Sequence, residues 1–459
     1  MIEYSTRVNN FFENYFDISS GLLLQSKGRG CNFCWAEKLN FLKGSCNGFD
    51  KLADGSSWED KANVIRQQMA EVFDSKNLSF LIGSGCSSLQ RDGTELGIPT
   101  MKSLAEEFQL LFDEKSTVNA EQIFVSEKQK DELYRRVGIN LSANDVKDDL
   151  EEIMTILINA SQFCRTSDER GLSSAVTLID EIVIGVQKFV LWKCTEGCFS
   201  NGNDSVVALY QKFYQSLTTR SRGLAPPWVF TTNYDLFNEY AMDRLGIPYS
   251  NGFSGTVERI FNPATYRLAL AEQLDITSRR WTAVDGFVRF CKLHGSVNWV
   301  EEETGLFPVR ETPNSVEGRV MIYPTPLKQK AILGSPYSDM LREFQRQVVQ
   351  DQSVLVVMGF GFRDEHINNI IFQCLTLPSF KLVAFMDSEM NDVTRKLADL
   401  GDPRIWFIWG EGEESGKKVH HYDNIVNHLL PTNTDQKIDQ SIKKARQALL
   451  AKLQDSEDG

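Results

Sequence analysis

Long hydrophobic runs are missing from this 459-residue sequence. The longest near-apolar stretch, SVLVVMGFGF (353–362), is about ten residues, roughly half of what a membrane-spanning helix needs. Basic charge is scarce. Lys plus Arg is 49 and Asp plus Glu is 62, a net charge of −13, so direct nucleic-acid binding, which neutralises phosphates, is not expected. The opening MIEYSTRVNNFFENYF lacks a basic start followed by an apolar run, so no secretory signal is expected. Nine cysteines are odd in number and scattered, which reads as reduced thiols in a cytoplasmic protein. No GxxxxGK[ST] occurs, which excludes a Walker-type NTPase. The GxGxxG fingerprint of dehydrogenases is also missing. Internal repeats and long low-complexity segments are absent.

What is present is ordinary globular material: 42% apolar and 24% charged residues, in a length that suggests two or three structural units. Seven short apolar runs read as strands: 78–85, 228–235, 288–296, 319–325, 353–361, 381–387 and 404–410. Most are apolar nearly throughout, the pattern of strands covered on both faces, as in a parallel sheet. Helical spacing lies between several of them: Met101, Leu104, Ala105, Phe108, Leu111 and Phe112; Tyr337, Met340, Leu341, Phe344 and Val348; Ile367, Ile370, Ile371 and Cys374. Such alternation predicts an α/β, Rossmann-like doubly wound parallel sheet. Residues 115–225 break the rhythm with helices only (147–164, 173–193 and one capped by Asp204), which predicts a large helical insertion. Residues 1–70 read as a mostly helical N-terminal segment, 71–114 and 226–410 as the α/β domain, and 411–459 as a helical tail.

Polar or glycine-rich residues follow five of the strands. FLIGSGCS (80–87) runs a buried strand into Gly83, Ser84, Gly85, Cys86 and Ser87, where glycines allow close backbone approach to a diphosphate; a plain strand-end turn explains it too. FTTNYD (230–235) places Thr231, Thr232, Asn233 and Asp235 at a strand end. Asn233 can donate and accept and Asp235 only accepts, and either can instead cap the next helix. KLHGSVNW (292–299) carries His294, one of five histidines and a natural general base if it lines a cleft, or else a structural histidine. In MGFGFRDEHIN (358–368), the amides of Gly359 and Phe360 can meet a ribose or phosphate, with Asp364 as a helix cap. VAFMD ends in Asp387, a ribose anchor or a cap for the following helix. All five tips fall at C-terminal ends of predicted parallel strands, where open α/β sheets bind ligands.

FLIGSGCS with GIPTMKSL (97–104), then TTNYD, KLHGSVNW and GFGFRDEHIN, in that order, resemble the sirtuin-like domains of bacterial defence proteins. The resemblance covers about 71–114 and 226–390. Ser84 stands where sirtuins usually have alanine, and Cys86 follows it. Deacylating sirtuins carry two cysteine pairs for zinc after the catalytic histidine. Here only Cys374 follows His294, while Cys31/Cys34 and Cys194/Cys198 lie far upstream, so no zinc is expected.

The resemblance implies an NAD glycohydrolase that depletes NAD in anti-phage defence. Asn233 would orient water and ribose, His294 would act as base, and Asp235 would help hold the nicotinamide end. Gly83, Ser84, Gly85, Ser87 and Thr232 would cradle the diphosphate side, with Gly359, Phe360 and Asp387 towards the adenosine. It further implies a homo-oligomer and a HerA-type hexameric ATPase partner. A protein deacylase, or a non-catalytic module binding an ADP-ribose-type nucleotide, are the rival readings.

Overall fold

The computed structural model describes residues 39–110, 124–143, 147, 150–166, 170–195, 204–273, 281–301, 309–312, 319–321, 336–414 and 416–432. The chain divides into units 1–37 and 38–459, and every described residue belongs to the second.

A nine-stranded sheet forms its centre, in the order Cys46–Asn47, Asn40–Lys43, Ile405–Trp409, Lys381–Phe385, Ser353–Met358, Asn77–Ile82, Trp228–Thr231, Val288–Lys292 and Tyr249–Ser250. From Ile405–Trp409 to Tyr249–Ser250 every pairing is parallel. The fold is therefore mixed α/β with a large parallel sheet. Val354, Val356, Phe80, Val229 and Phe290 face one apolar cluster, shared with the helices Trp58–Phe73 and Ser205–Leu217. Successive side chains alternate faces, so Phe230 points the other way, where its ring meets Phe344 of the helix Tyr337–Val348 at 4.8 Å. Burial on both faces explains why these strands are apolar nearly throughout.

The parallel part of this sheet begins at Asn77–Ile82; from there the chain steps to one side through Trp228–Thr231 and Val288–Lys292, then crosses to the other side for Ser353–Met358, Lys381–Phe385 and Ile405–Trp409. The direction reverses between Asn77–Ile82 and Ser353–Met358, the kind of switch point at which open α/β sheets bind ligands.

Several local expectations change. The run 288–296 splits at His294: Gly295, with φ +95°, turns the chain out of the sheet. Gly295–Glu301 and Arg319–Met321 join Val309–Glu311, Arg259–Phe261 and Phe253–Ser254 in a separate antiparallel sheet rather than the parallel one. The N-terminal segment supplies two strands besides its helix, because the buried apolar Phe41 and Leu42 pair antiparallel with Ile405–Trp409. Asp204 occupies the N-cap position of Ser205–Leu217 without capping it; its carboxylate pairs with Arg244 at 2.8 Å instead. The helix Asp392–Asp399 is capped by Asn391, not Asp387.

Between Asn77–Ile82 and Trp228–Thr231 the chain forms Met101–Leu110, Glu127–Val137, Leu150–Thr166, Arg170–Ser173, Ala175–Thr195 and Ser205–Leu217. Phe108, Leu133, Ile153 and Phe189 share a second apolar cluster, whereas Phe213 of the last helix belongs to the sheet's core. Of the expected helical tail over 411–459, residues 415 and 433–459 lie outside the described residues.

Candidate functional site

All five polar tips stand at the C-terminal edge of the parallel strands. At the switch point the two glycine loops pack on each other. Gly83 N–H donates to Met358 O and Gly85 N–H to Gly359 O, both at 2.9 Å. A Cβ on Gly83 would sit 2.4 Å from Gly359 O, and one on Gly359, which has φ +62°, 2.5 Å from Cys86 N. Those two glycines thus serve mutual approach of the loops.

Asn233 is buried, and its carboxamide ties its own tip to the neighbouring one: Nδ2 donates to Gly83 O and to Ser87 Oγ, both at 2.9 Å. Its main-chain N–H donates to Thr231 Oγ1, which donates to Ile82 O. Asn233 Oδ1 is buried and has no hydrogen-bond partner among the described residues. A buried acceptor in that state is costly, so the position calls for a donor beyond the described residues.

Ser87 Oγ in turn donates to Asp235 Oδ2 at 2.7 Å, while Asp235 Oδ1 accepts from Phe237 N–H at the start of the helix Phe237–Leu245. Burial raises the pKa of Asp235, opposed by Lys292 and Ser87. Lys292, fully surrounded at the end of its strand, pairs with Glu239 at 2.8 Å and donates to Ser296 Oγ at 2.7 Å and to Asp235 O. Burial pushes the carboxyl of Glu239 up to about 7 against the pull of Lys292. Asn233, Ser87, Asp235, Lys292 and Glu239 form one connected network. Cys86 is buried, and burial with Asp235 nearby pushes its thiol well up, so it is no thiolate nucleophile.

His294 follows directly on this network, since Leu293 N–H donates to Thr231 O at 2.8 Å. Its Nε2 lies 3.1 Å from Asp364 Oδ2. Asp364 Oδ1 meanwhile caps the helix Glu365–Leu375 through His366 N–H and Ile367 N–H. The strands bearing these two residues are three spacings apart, roughly 14 Å. Their loops therefore meet over the tips of Asn77–Ile82 and Trp228–Thr231. Buried Phe362, with φ +53°, lies in the loop that makes this reach, a conformation uncommon for a bulky residue and typical of constrained functional turns.

The remaining expected residues spread outwards. Thr232 N–H donates to Ile82 O, Ser84 opens the short turn Ser84–Cys86, and Phe360 packs its ring on Phe362 at 5.4 Å. Asp387, two strands from the glycine loop, pairs with Lys418 at 2.8 Å; burial opposes its charge, but Lys418, His420 and Ser388 prevail and lower its pKa. Among the described residues no group of three or more His, Cys, Asp or Glu side chains is disposed to hold a metal. Cys31, Cys34 and Cys198 lie outside them. Cys194 is described, and burial pushes its thiol up to about 12.

Sequence reasoning missed Asp364 as partner of His294, seeing only its capping role. It also missed Lys292 and Glu239, although a lysine in the apolar strand VRFCK and a glutamate in FNEYAM were signals of a buried pair.

Residues 227–411 match the SIR2-like domain family. The match supports a sirtuin-like, NAD-related function for this part of the chain and is consistent with an NAD-using enzyme. It spans the Asn233, His294, Asp364 and Asp387 tips. Asn77–Ile82, with the Gly83–Ser87 loop, lies outside it in sequence yet sits between two of its strands in the sheet. No curated protein matches the chain. Among the described residues no helix is long and apolar enough to cross a membrane.

Proposed function

We propose that the chain is an NAD glycohydrolase built on a Rossmann-like, sirtuin-type domain, cleaving NAD to nicotinamide and ADP-ribose. The observation that carries the reading is the pairing, at one sheet edge and switch point, of a buried carboxamide with an unpartnered acceptor, Asn233, and an imidazole held by a carboxylate, His294 with Asp364.

The reaction breaks the C–N bond between ribose and nicotinamide through an oxocarbenium-like transition state, as in glycoside hydrolysis. The nicotinamide ring is cationic in NAD and leaves neutral, so no general acid is required. Asn233 Oδ1 accepts from a ribose hydroxyl or from the attacking water and orients it. With Nε2–H of His294 donated to Asp364, Nδ1 is the basic nitrogen; it takes the proton that the water or the ribose hydroxyl releases. Asp364 positions the ring and balances the imidazolium that forms. Ser87 and Asp235 hold the Asn233 carboxamide from behind, and the main chain of the Gly83–Ser87 and Gly359–Phe360 loops faces the phosphates.

General-base assistance is worth roughly 10²–10⁴ in rate. His294→Ala and Asn233→Ala are each expected to remove nicotinamide release by about that factor while thermal unfolding shows a folded protein. Product chromatography after incubation with NAD alone reads it. Undiminished nicotinamide release by His294→Ala defeats the assignment, and acylated ADP-ribose formed only with an acyl-lysine peptide replaces it by deacylation.

In the same reading the enzyme is a cytoplasmic, homo-oligomeric effector that drains NAD during phage infection, partnered by a separate HerA-type ATPase. Co-expression followed by sizing tests the pairing, and an unshifted elution counts against it.

A further inference from the structure

At the opposite, N-terminal edge of the same strands lies a cavity of about 300 Å³. Its walls include Arg267, Arg289, Arg346, Trp228 and Gln350, and none of its lining residues is an aspartate or glutamate. In a chain of net charge −13 that composition is unexpected.

The three guanidiniums are only partly balanced. Arg346 pairs with Glu343 at 2.7 Å; no ion pair to Arg267 or Arg289 is found among the described residues. Three positive charges less one negative leave two. Arg289 is fixed in place, its guanidinium 5.6 Å from the Trp228 ring centre, which is itself stacked on Phe230. The Nε of Arg289 is buried without a hydrogen-bond partner. Burial works to lower its pKa, Glu343 opposes this, and neighbouring Arg346 adds to the lowering. Like charges converging on a cavity repel, and an unsatisfied buried donor is costly. A multivalent anion in the cavity lowers the repulsion and offers acceptors to the guanidiniums, which bind phosphate oxygens in bidentate fashion. The cavity is at the small end of ligand pockets.

We propose that this cavity is a binding site for the phosphate group of a small phosphorylated molecule, with Arg267, Arg289 and Arg346 as its ligands. The site is separate from the histidine–asparagine tips and does not depend on the glycohydrolase reading. It shares their strands: Trp228 and Asn233 lie at opposite ends of one, Arg289 and His294 at opposite ends of the next, and Arg289 is in register with Trp228.

Isothermal titration of the full chain with inorganic phosphate, AMP and adenosine tests it. Phosphate and AMP are expected to bind at millimolar concentration or below, and adenosine to show no binding that depends on Arg267 or Arg289. AMP binding more tightly than phosphate identifies a phosphate ester as the ligand; equal affinity identifies free phosphate. Arg289→Gln and the exposed Arg267→Gln are each expected to weaken AMP at least tenfold, and Arg267→Gln leaves the fold undisturbed. Absence of binding by both phosphate and AMP overturns the proposal. So does unchanged affinity in both variants, or adenosine binding that the two variants weaken as much as they weaken AMP.

Discussion

The two ends of the parallel strands handle charge in opposite ways. At the C-terminal end, Asn233, Ser87, Asp235, Lys292 and Glu239 hold one another in a buried network with cation and carboxylate paired, and His294 and Asp364 pair beside it. At the N-terminal end three arginines line a cavity with no aspartate or glutamate in its walls, and Arg346 alone of them has an ion-pair partner among the described residues, Glu343. Matched groups fix geometry: each atom has little freedom to move, and among the described residues the network leaves two buried acceptors without a hydrogen-bond partner, Glu239 Oε2 beside Lys292 and Asn233 Oδ1 at the strand tips, where the proposed reading places a substrate donor. Unmatched groups instead fix affinity, because the missing counter-charge must come from a ligand. The same sheet thus supplies preorganisation at one end and attraction at the other.

The strongest way to break this contrast is to unmatch the C-terminal network. Lys292→Met removes the cation but leaves Glu239 and Asp235 buried. Breaking a buried pair from one side costs about 3–5 kcal/mol, so denaturant unfolding of Lys292→Met is expected to show a loss in that range. Adding Glu239→Leu is expected to recover part of it. A Lys292→Met protein as stable as wild type would mean that the network is no more matched than the arginine cavity. Arg289→Gln, which relieves repulsion at the other edge, is expected to cost far less.

How much of this was legible beforehand divides along the same line. The strands at 77–82, 228–231, 353–358, 381–385 and 405–409 could be read because burial on both faces leaves continuous apolar runs. Their polar tips could be read because a strand that ends in Gly-Ser-Gly or Thr-Thr-Asn ends visibly. The partners of those tips could not. Asp364 reaches His294 only because Ser353–Met358 lies three strands away with its loop bent back, and strand order is not written locally. Glu239 meets Lys292 through the placement of a helix, which spacing alone does not give. Gly295–Glu301 looked like a continuation of the histidine strand, since an apolar run carries no mark of the sheet it joins; the turn at Gly295 decides it.

Intermediate in size is the dissection of Asp364, which has two jobs. Asn caps helices as well as Asp does, so Asp364→Asn keeps the cap on Glu365–Leu375 and removes the charge facing His294. Stability is expected to be nearly unchanged, while nicotinamide release falls roughly 10²-fold through loss of imidazole positioning. Asp364→Ala loses the cap as well and is expected to cost a further ~1 kcal/mol in unfolding. Equal activity in wild type and Asp364→Asn would reduce the contact with His294 to a cap residue's incidental neighbour.

The gentlest probe is pH. Burial raises Glu239 to about 7, above its unfolded value in the ordinary carboxylate range. Between those two values the folded state holds a proton that the unfolded state has released, so stability falls as pH rises through the window and levels off above it. Glu239→Gln removes this titration and is expected to flatten the slope of unfolding free energy between about pH 4.5 and 7. Asp235, raised in the same direction by burial, contributes to the slope that persists in the variant. If Glu239→Gln leaves the full wild-type slope in place, the Glu239 carboxyl is not held protonated into that window. Lys292 would then match the glutamate completely, which sharpens the difference from the arginine cavity rather than removing it.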